Sequence, residues 1–513
     1  MNIEIGIEKL MEFAKEKNIV ILEDEDYIRN TLLDLFNLDQ PHIGEITGEK
    51  ICNIQEALDP LLDAGFKLGL IPENTTTYRD LLEAKIMGIV VPRPSEVIRI
   101  FNKIANEEGI EKATDNFYKL SKDSNYIQMN RIAKNLYWRE ATKYGDLEIT
   151  INLSKPEKDA KEIERLRDMP QSNYPKCLLC TENVGFRGSL NHPARQNHRI
   201  IPINMVGEKW YLQYSPYVYY NEHCIVLSEK HSPMSMTSET FVRLLGFVEQ
   251  FPHYFLGANA GLPVVGGSIM SHEHYQGGRH EFPMEVASLE YSFGHKDYKG
   301  VKVGIVKWPL SVIRISGQNK EDIIKTGSYI LDTWEKYTDE SVGIIPFTKE
   351  ENGQMTPHST ITPIARKNKQ GEYELDLALR NNRRSVERPD GIFHPRPALH
   401  HIKKENIGLI EVMGLAILPG RLDAELTKIA DEMRKEKIDI PEGSDLKKHE
   451  EWIKNMRDQY GIKMSAEQAA KTIRYEVGRK FTQVLEDAGV YKTDNEGRAA
   501  FVKFIKHMGF ELK

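Results

Sequence analysis

The spacing of hydrophobic residues divides this chain into two helical ends and a middle that is rich in strands. Through residues 1–165 apolar side chains recur at helical intervals, for example over 7–14 and 27–36, which predicts mainly α-helices. The acidic run 24–26 predicts the start of the second of these helices, and Ser95 predicts an N-cap further along. The charge-dense stretch 155–167 is typical of a solvated helix or a linker.

The middle of the chain has a different pattern. Aromatic and β-branched runs at 210–220 and 224–227 predict strands, the stretch 237–248 predicts a capped helix, and 254–261 predicts a strand that leads into a glycine-rich loop. A similar order follows, with predicted strands at 301–308 and 312–315, a helix at 320–337, a hairpin around Gly371 and a strand at 411–419. These patterns predict an α+β protein with two related units.

The predicted organisation has four segments. They are a mainly helical N-terminal extension (1–165), a first α+β unit (166–295), a second α+β unit (296–421) and a helical C-terminal segment (422–513).

Composition and charge limit the possible functions. The chain has 513 residues, of which 40% are hydrophobic and 28% charged, as in globular proteins. We find no apolar run long enough to cross a bilayer and no signal-peptide pattern at the N-terminus, which together favour a cytoplasmic protein. The net charge of −7 argues against a general nucleic-acid partner, although a local basic pocket for a phosphorylated ligand is compatible with it.

The stretch 267–278 is the most informative motif, because it has two histidines two residues apart and a glutamine two residues further on. On a β-strand, His272, His274 and Gln276 would line one face, and Glu273 would point to the other as a structural residue. Neutral imidazole is a good nucleophile towards phosphorus, and the neighbouring glycines allow a ligand to approach closely. A metal pair or a surface coincidence is the alternative interpretation.

Four cysteines in 513 residues do not indicate a disulfide framework. Cys177 and Cys180 form a CxxC pair, for which a metal half-site, a redox pair and chance all stay open. With His231 and His272 they make a Cys2His2 set of the kind that holds a structural zinc ion. The alternative for His231 is an ordinary histidine of a surface loop.

Taken together, these motifs resemble the galactose-1-phosphate uridylyltransferases of the second type, which occur in Gram-positive bacteria and form a branch of the histidine-triad fold. The resemblance extends over most of the chain. Its most specific parts are 177–180, 182–187, 191–199, 228–234 and 267–278.

The resemblance implies a fold, a reaction and two catalytic residues. The fold would contain two histidine-triad-like antiparallel sheet units with flanking helices, and such proteins commonly form homodimers. The reaction would exchange UMP between UDP-glucose and galactose 1-phosphate with ping-pong kinetics. His274 would be the nucleophile that becomes uridylylated, oriented by a neighbouring backbone carbonyl, and Gln276 would bind the phosphoryl oxygens.

Further polar residues are candidates for substrate binding. Arginine suits phosphate, and asparagine could contact uracil or ribose. The candidates are Arg187, Asn191, Arg195, Asn197, Asn259 and Ser268. For each of them, loop stabilisation is the alternative.

Two other functions are compatible with the same residues. Another histidine-triad enzyme, such as a nucleotidyltransferase, phosphorylase or hydrolase of a nucleotide, would keep His274 and change the acceptor. A non-catalytic, zinc-stabilised binding module would keep the cysteines without the chemistry.

Overall fold

The computed structural model describes residues 2–46, 50–154, 173–267 and 269–513, so the segment 155–167 and Ser268 lie outside the described residues. In the described part the helices are α1 (Ile3–Glu16), α2 (Glu25–Leu35), α3 (Gln55–Lys67), α4 (Thr76–Val90), α5 (Pro94–Glu107), α6 (Ile110–Asp123), α7 (Met129–Ile132), α8 (Ser238–Gln250), α9 (Pro283–Val286), α10 (Lys320–Trp334), α11 (Leu409–Val412), α12 (Arg421–Arg434), α13 (Glu450–Tyr460), α14 (Ala466–Ala488) and α15 (Asn495–His507). Among these helices none is long and apolar enough to cross a membrane.

The strands follow in chain order. They are β1 (Leu136–Thr142), β2 (Gly145–Asn152), β3 (Ile201–Met205), β4 (Glu208–Tyr214), β5 (Cys224–Ser228), β6 (Phe255–Gly257), β7 (His274–Gly278), β8 (Leu289–Gly294), β9 (Lys302–Val306), β10 (Val312–Gly317), β11 (Phe347–Lys349), β12 (Met355–Pro357), β13 (Ser359–Lys367), β14 (Tyr373–Asn381), β15 (Leu415–Pro419) and β16 (Glu511–Leu512).

Residue contacts divide the chain into two units. The first comprises Met1–Lys134, Ser154–Val218 and Glu222–Ser232, and the second comprises Asn135–Leu153, Tyr219–Asn221 and Pro233–Lys513. The division into four segments stays a prediction.

The first unit is a helical cluster with a small antiparallel sheet. Helices α1 to α4 are amphipathic or apolar along one side and bury a common core that includes Leu10, Leu32, Leu58 and Met87. Strands β3, β4 and β5 pair antiparallel in that order, with Ile201 opposite Leu212. The strand β5 leads directly towards His231.

The second unit contains a larger antiparallel sheet in the order β16-β8-β9-β10-β14-β13-β6-β7. Its longest hairpin, β13–β14, turns at Gly371, whose φ of 76° lies in the left-handed region that glycine adopts without strain. A second sheet has the order β1-β2-β15, in which β15 runs parallel to β2. Large apolar side chains such as Trp308 and Phe481 fill the core of this unit.

The structure confirms the α+β class and the repeated order of elements. Two strands, a helix and two strands occur as β4–β5–α8–β6–β7 and again as β9–β10–α10–β13–β14, with the short hairpin β11–β12 inserted between α10 and β13. Several local predictions are wrong, and among them the strand predicted at 210–220 ends at Tyr214. The predicted helical extension contains the β1–β2 hairpin. Ser95 lies inside α5, because this helix already begins at Pro94. Residues 411–412 belong to α11, which precedes β15.

Candidate active site

The histidine motif lies at the start of β7. This strand begins at His274, so the prediction that His272 belongs to the strand is wrong: His272 lies in the bend before it. Within β7, His274 and Gln276 project to one face, because side chains two residues apart on a strand share a face. Gln276 pairs with Gly257 of β6, where no side chain competes for this surface.

The ring of His274 is held by a hydrogen bond to a nearby backbone carbonyl. Its Nδ1–H donates to the carbonyl oxygen of His272 at 2.8 Å, as predicted for a neighbouring carbonyl. This bond fixes the tautomer, and among the described residues Nε2 is left with its lone pair and no hydrogen-bond partner. The side chain is only 5% exposed, and burial lowers the pKa of His274, which favours the neutral imidazole.

The opposite face of β7 is structural. The hydroxyl of Tyr275 donates to Glu273 Oε1 at 2.9 Å, and Arg243 of α8 forms an ion pair with the same oxygen at 3.3 Å. Glu273 therefore faces away from His274, as predicted, and ties the motif to α8. Nothing in the sequence motif itself indicated Arg243 as its partner.

The four predicted metal ligands come together. Each of Cys177, Cys180, His231 and His272 places one ligand atom within 4.8 Å of the others. The two Sγ atoms are 3.4 Å apart, and Cys180 Sγ lies 3.0 Å from His231 Nδ1. These separations fit a tetrahedral ion with bonds of about 2.0–2.3 Å to nitrogen and sulfur. The cluster could therefore hold a metal ion.

The loop that carries the two cysteines is held by Asn183. Its Nδ2 donates to the carbonyl oxygens of Cys177 at 2.8 Å and Cys180 at 2.7 Å. Burial, and then the neighbouring Cys177 thiol, raises the pKa of Cys180 to about 12. A thiolate at this position consequently needs a nearby cation, and a metal ion supplies one.

Asn259 has a structural contact of its own. Its Oδ1 accepts from the backbone N–H of Leu409 at 2.9 Å, at the start of α11, and the side chain is buried. A Cβ atom on Gly267 would lie 2.8 Å from Asn259 Nδ2, so the glycine-rich loop can approach this amide only because Gly267 has no side chain. The predicted contact of Asn259 with substrate stays a prediction.

Three of the other predicted binding residues share one cavity of the first unit, with a volume of about 250 Å³. Asn191, Arg195 and Asn197 line it, whereas Arg187 is exposed and does not. Asn197 also donates through Nδ2 to the Ser124 carbonyl at 3.0 Å. The structure therefore brings these three side chains to one cavity, and their contact with substrate stays a prediction.

The N-terminal helices supply the other side of this cavity, which sequence analysis did not anticipate. These lining residues are Asp80, Glu83, Asn125, Tyr126, Gln128 and Arg131. His192 also lines the cavity and was not among the predicted residues, although it lies between Asn191 and Arg195 in the sequence. We call this space the extension cavity.

Two family models and one solved structure match parts of this chain. Residues 22–233 match the family model described as "Galactose-1-phosphate uridyl transferase, N-terminal domain", and residues 247–453 match the corresponding C-terminal domain. A yeast Ap4A phosphorylase structure aligns with 55% of this chain and 81% of its own, with a TM-score of 0.31 and 10% sequence identity.

Several curated relatives match over nearly their full length. The galactose-1-phosphate uridylyltransferase of Caldanaerobacter subterraneus subsp. tengcongensis is 58% identical over 98% of both chains. Proteins of the same name from Fusobacterium nucleatum and Bacillus subtilis are 49% and 48% identical, over 98% and 99% of this chain and 98% of theirs.

These matches define the chain as an enzyme of the nucleotidyltransferase class. Because two family models and relatives of about half identical sequence cover it, the chain belongs to the galactose-1-phosphate uridylyltransferase family. The resemblance inferred from the cysteine and histidine motifs is confirmed.

Proposed function

We propose that this chain exchanges UMP between UDP-glucose and galactose 1-phosphate through a covalent intermediate on His274. The observation that carries the proposal is the hydrogen bond from His274 Nδ1 to the His272 carbonyl, which directs the lone pair to Nε2. The names of the relatives support galactose 1-phosphate as one substrate and a uridylyl group as the group that is transferred.

In the first half-reaction, Nε2 of His274 attacks the α-phosphorus of UDP-glucose. A nitrogen–phosphorus bond forms, the bond from phosphorus to the bridging oxygen breaks, and glucose 1-phosphate leaves with that electron pair. The ring keeps its Nδ1 proton and gains positive charge, which the His272 carbonyl oxygen stabilises through the hydrogen bond at 2.8 Å.

In the second half-reaction, a phosphate oxygen of galactose 1-phosphate attacks the same phosphorus. The nitrogen–phosphorus bond breaks, its electron pair returns to Nε2, and UDP-galactose leaves. Gln276 lies two residues along the same face of β7, so its amide N–H can donate to the phosphoryl oxygens as their charge grows. The covalent step divides one displacement into two easier ones.

We further propose that the Cys/His cluster holds zinc. Two thiolates and two imidazoles are a donor set that zinc prefers in closed, structural sites. The ion would fix the side chain of His272, whose own carbonyl oxygen orients His274. Its contribution is therefore to hold the residues that position the nucleophile.

A uridylyl adduct is the direct test of the proposed function. We expect incubation with UDP-glucose alone to add one UMP to the protein and to release glucose 1-phosphate, with peptide mapping that locates the label on His274. Addition of galactose 1-phosphate should remove the label as UDP-galactose. Absence of any adduct, or a label on another residue, would refute the proposal, and discharge by water alone would indicate a hydrolase.

Replacing Gln276 by alanine is expected to lower the rate of uridylylation by about 10²–10³-fold, because it removes one donor to the charged phosphoryl oxygens. Single-turnover release of glucose 1-phosphate measures this rate. Tyr275→Phe is the matched control, since Tyr275 faces the other side of β7 and contacts Glu273. An unchanged rate in Gln276→Ala would exclude the proposed role.

The remaining predictions concern the whole molecule. We propose a cytoplasmic enzyme that forms a homodimer, in accordance with the resemblance to histidine-triad proteins. Light scattering coupled to size-exclusion chromatography measures the mass of the assembly against the 59.0 kDa chain.

A further inference from the structure

Three of the four charged residues in the wall of the extension cavity have charged or polar side-chain partners in the described part of the chain. Asp80 forms a two-point ion pair with Arg131, so these two charges compensate each other. Glu83 accepts hydrogen bonds from the side-chain amides of Gln55, Asn125 and Gln128. Burial raises the pKa of Glu83, so the protein also disfavours a free negative charge there.

Arg195 is the remaining charge in this wall. Among the described residues, its side chain forms one hydrogen bond, from Nη1 to the carbonyl oxygen of Ala194 at 3.3 Å, and no ion pair with a carboxylate. Its guanidinium lies 5.6 Å from the ring centroid of Tyr126. The cavity therefore presents a cation whose remaining N–H groups have no partner among the described residues, which favours an anionic ligand.

His192 adds an unmet hydrogen-bond acceptor to the same cavity. Its Nδ1–H donates to the carbonyl oxygen of Pro193 at 3.1 Å, so Nε2 carries the lone pair. That Nε2 atom is buried and has no hydrogen-bond partner within the described ranges of the chain. Because a buried acceptor without a partner is costly, it indicates a ligand that brings an O–H or N–H group.

The size of the cavity restricts this ligand further. Its volume of about 250 Å³ is below the usual range of about 300–1,000 Å³ for drug-sized ligands. A sugar phosphate or a single nucleoside monophosphate has a size suitable for a cavity of this volume. Both provide a phosphate for Arg195 and hydroxyl groups for His192.

We propose that the extension cavity is a binding site for a small phosphate monoester that carries hydroxyl groups, with Arg195 and His192 as its specific contacts. Identifying this ligand as a substrate rests on the proposed function, but its binding does not. Galactose 1-phosphate and UMP are the two sources of this chemistry in the proposed reaction.

The inference gives the N-terminal helices a role in ligand binding. Tyr126 follows α6, is buried, and stacks on His198 with ring centroids 4.5 Å apart. It therefore offers a rigid aromatic surface to the guanidinium of Arg195, which makes Tyr126 a positioning residue. The extension would thus complete a ligand site as well as contribute its own hydrophobic core.

Titration calorimetry on the full chain tests the proposal with three probes: galactose 1-phosphate, UMP and inorganic phosphate. We expect Arg195→Gln to weaken binding of one phosphate monoester about ten- to hundredfold. His192→Phe keeps a flat ring but lacks the acceptor, and should weaken the same ester about tenfold while leaving inorganic phosphate unaffected. The ester whose binding both variants weaken is the ligand of the extension cavity.

Tyr126 provides a second comparison. Tyr126→Leu should weaken binding of the same ester about fivefold, because the guanidinium of Arg195 loses its aromatic contact. Tyr126→Phe should bind this ester as the unmodified chain does, because the ring is kept. Arg99→Gln is the matched control, since Arg99 is an exposed arginine of α5 that pairs only with Glu96 in the described part of the chain. Thermal melting verifies that each variant is folded.

A measurement on the unmodified chain removes any dependence on the folding of variants. Phenylglyoxal modifies accessible arginines, and peptide mapping should show that the identified ester protects Arg195. Unchanged affinities in folded variants together with no protection would overturn the proposal. The adduct on His274, followed in the same preparations, separates this outcome from failure of the proposed function, because that adduct would still form.

Discussion

His274→Ala is expected to lower kcat/KM for UMP exchange at least about 10⁴-fold, because no other group would form the covalent bond to phosphorus. The side chain projects from the first residue of β7, and its Nδ1 is already used by the His272 carbonyl. Water replacing the imidazole would lack both the fixed position and the nucleophilicity of Nε2. Binding of UDP-glucose should change far less than turnover.

Exchange of label between UDP-glucose and glucose 1-phosphate measures the first half-reaction alone, and its loss should match the loss of overall turnover. The control is His507→Ala, which removes an exposed histidine near the C-terminus. A His274→Ala variant with more than about one tenth of the original activity would contradict the assignment, since loss of a nucleophile costs far more than that.

A smaller residue at the same position offers a positive test. His274→Gly leaves space for a free imidazole ring, so uridine 5′-phosphorimidazolate should donate UMP to galactose 1-phosphate in this variant. The phosphate oxygen of the sugar attacks phosphorus and imidazole leaves, as the ring of His274 would. The variant should stay inactive with UDP-glucose, because the first half-reaction still lacks its nucleophile.

The strand period predicted the shared face of His274 and Gln276, but not where the strand begins. Alternation depends only on local backbone geometry, whereas the start of β7 depends on pairing with β6 and on the position of His272. The side chain of His272 belongs to the Cys/His cluster while its carbonyl accepts from His274. Neither contact follows from the alternation of side chains along a strand, so periodicity alone does not reveal where β7 begins.

The β1–β2 hairpin shows a similar limit. Tyr137, Trp138 and Thr142 are residues that favour strands, and burial alternates along β1, yet the helices before it dominated the prediction for residues 1–165. The third strand of this sheet is β15, more than 260 residues away by its pairing of Leu415 with Glu148. Such distant pairing cannot be predicted from the local pattern.

The sequence pointed to residues on only one side of the extension cavity. Asn191, Arg195 and Asn197 were recognised because their side chains suit nucleotide chemistry, but Tyr126 was not, since a lone tyrosine in a helical region usually belongs to the core. Only the fold places residues near 80 and 130 beside the segment 189–197. The sequence therefore supplied candidate residues, whereas the residues that lie beside them depend on the fold.

If the Cys/His cluster holds zinc as proposed, Cys180→Ser is expected to abolish zinc binding and to lower the melting temperature by at least about 10 °C. The cluster joins residues that are far apart in sequence, and burial favours the protonated thiol of Cys180 when no cation is near. A zinc ion stabilises both thiolates and holds the ligands together. Serine is a poor replacement, because a neutral hydroxyl binds zinc weakly.

Metal content by mass spectrometry and melting by calorimetry measure the two effects. Cys52→Ser is the matched control, because Cys52 is an exposed, free cysteine outside the cluster. It should keep about one zinc ion per chain, as expected for a single tetrahedral site. Prolonged treatment of the unmodified protein with a chelator should reproduce the melting temperature of Cys180→Ser.

Activity distinguishes a purely stabilising ion from one that also positions the nucleophile. At a temperature where Cys180→Ser is still folded, we expect its kcat to be about 10–100-fold lower, because His272 would lose one anchor and its carbonyl would orient His274 less well. KM for UDP-glucose should change little. If Cys180→Ser keeps its zinc and its melting temperature, the proposed metal site is refuted. If its melting temperature falls but its kcat is unchanged, the ion stabilises the fold and does not position the nucleophile.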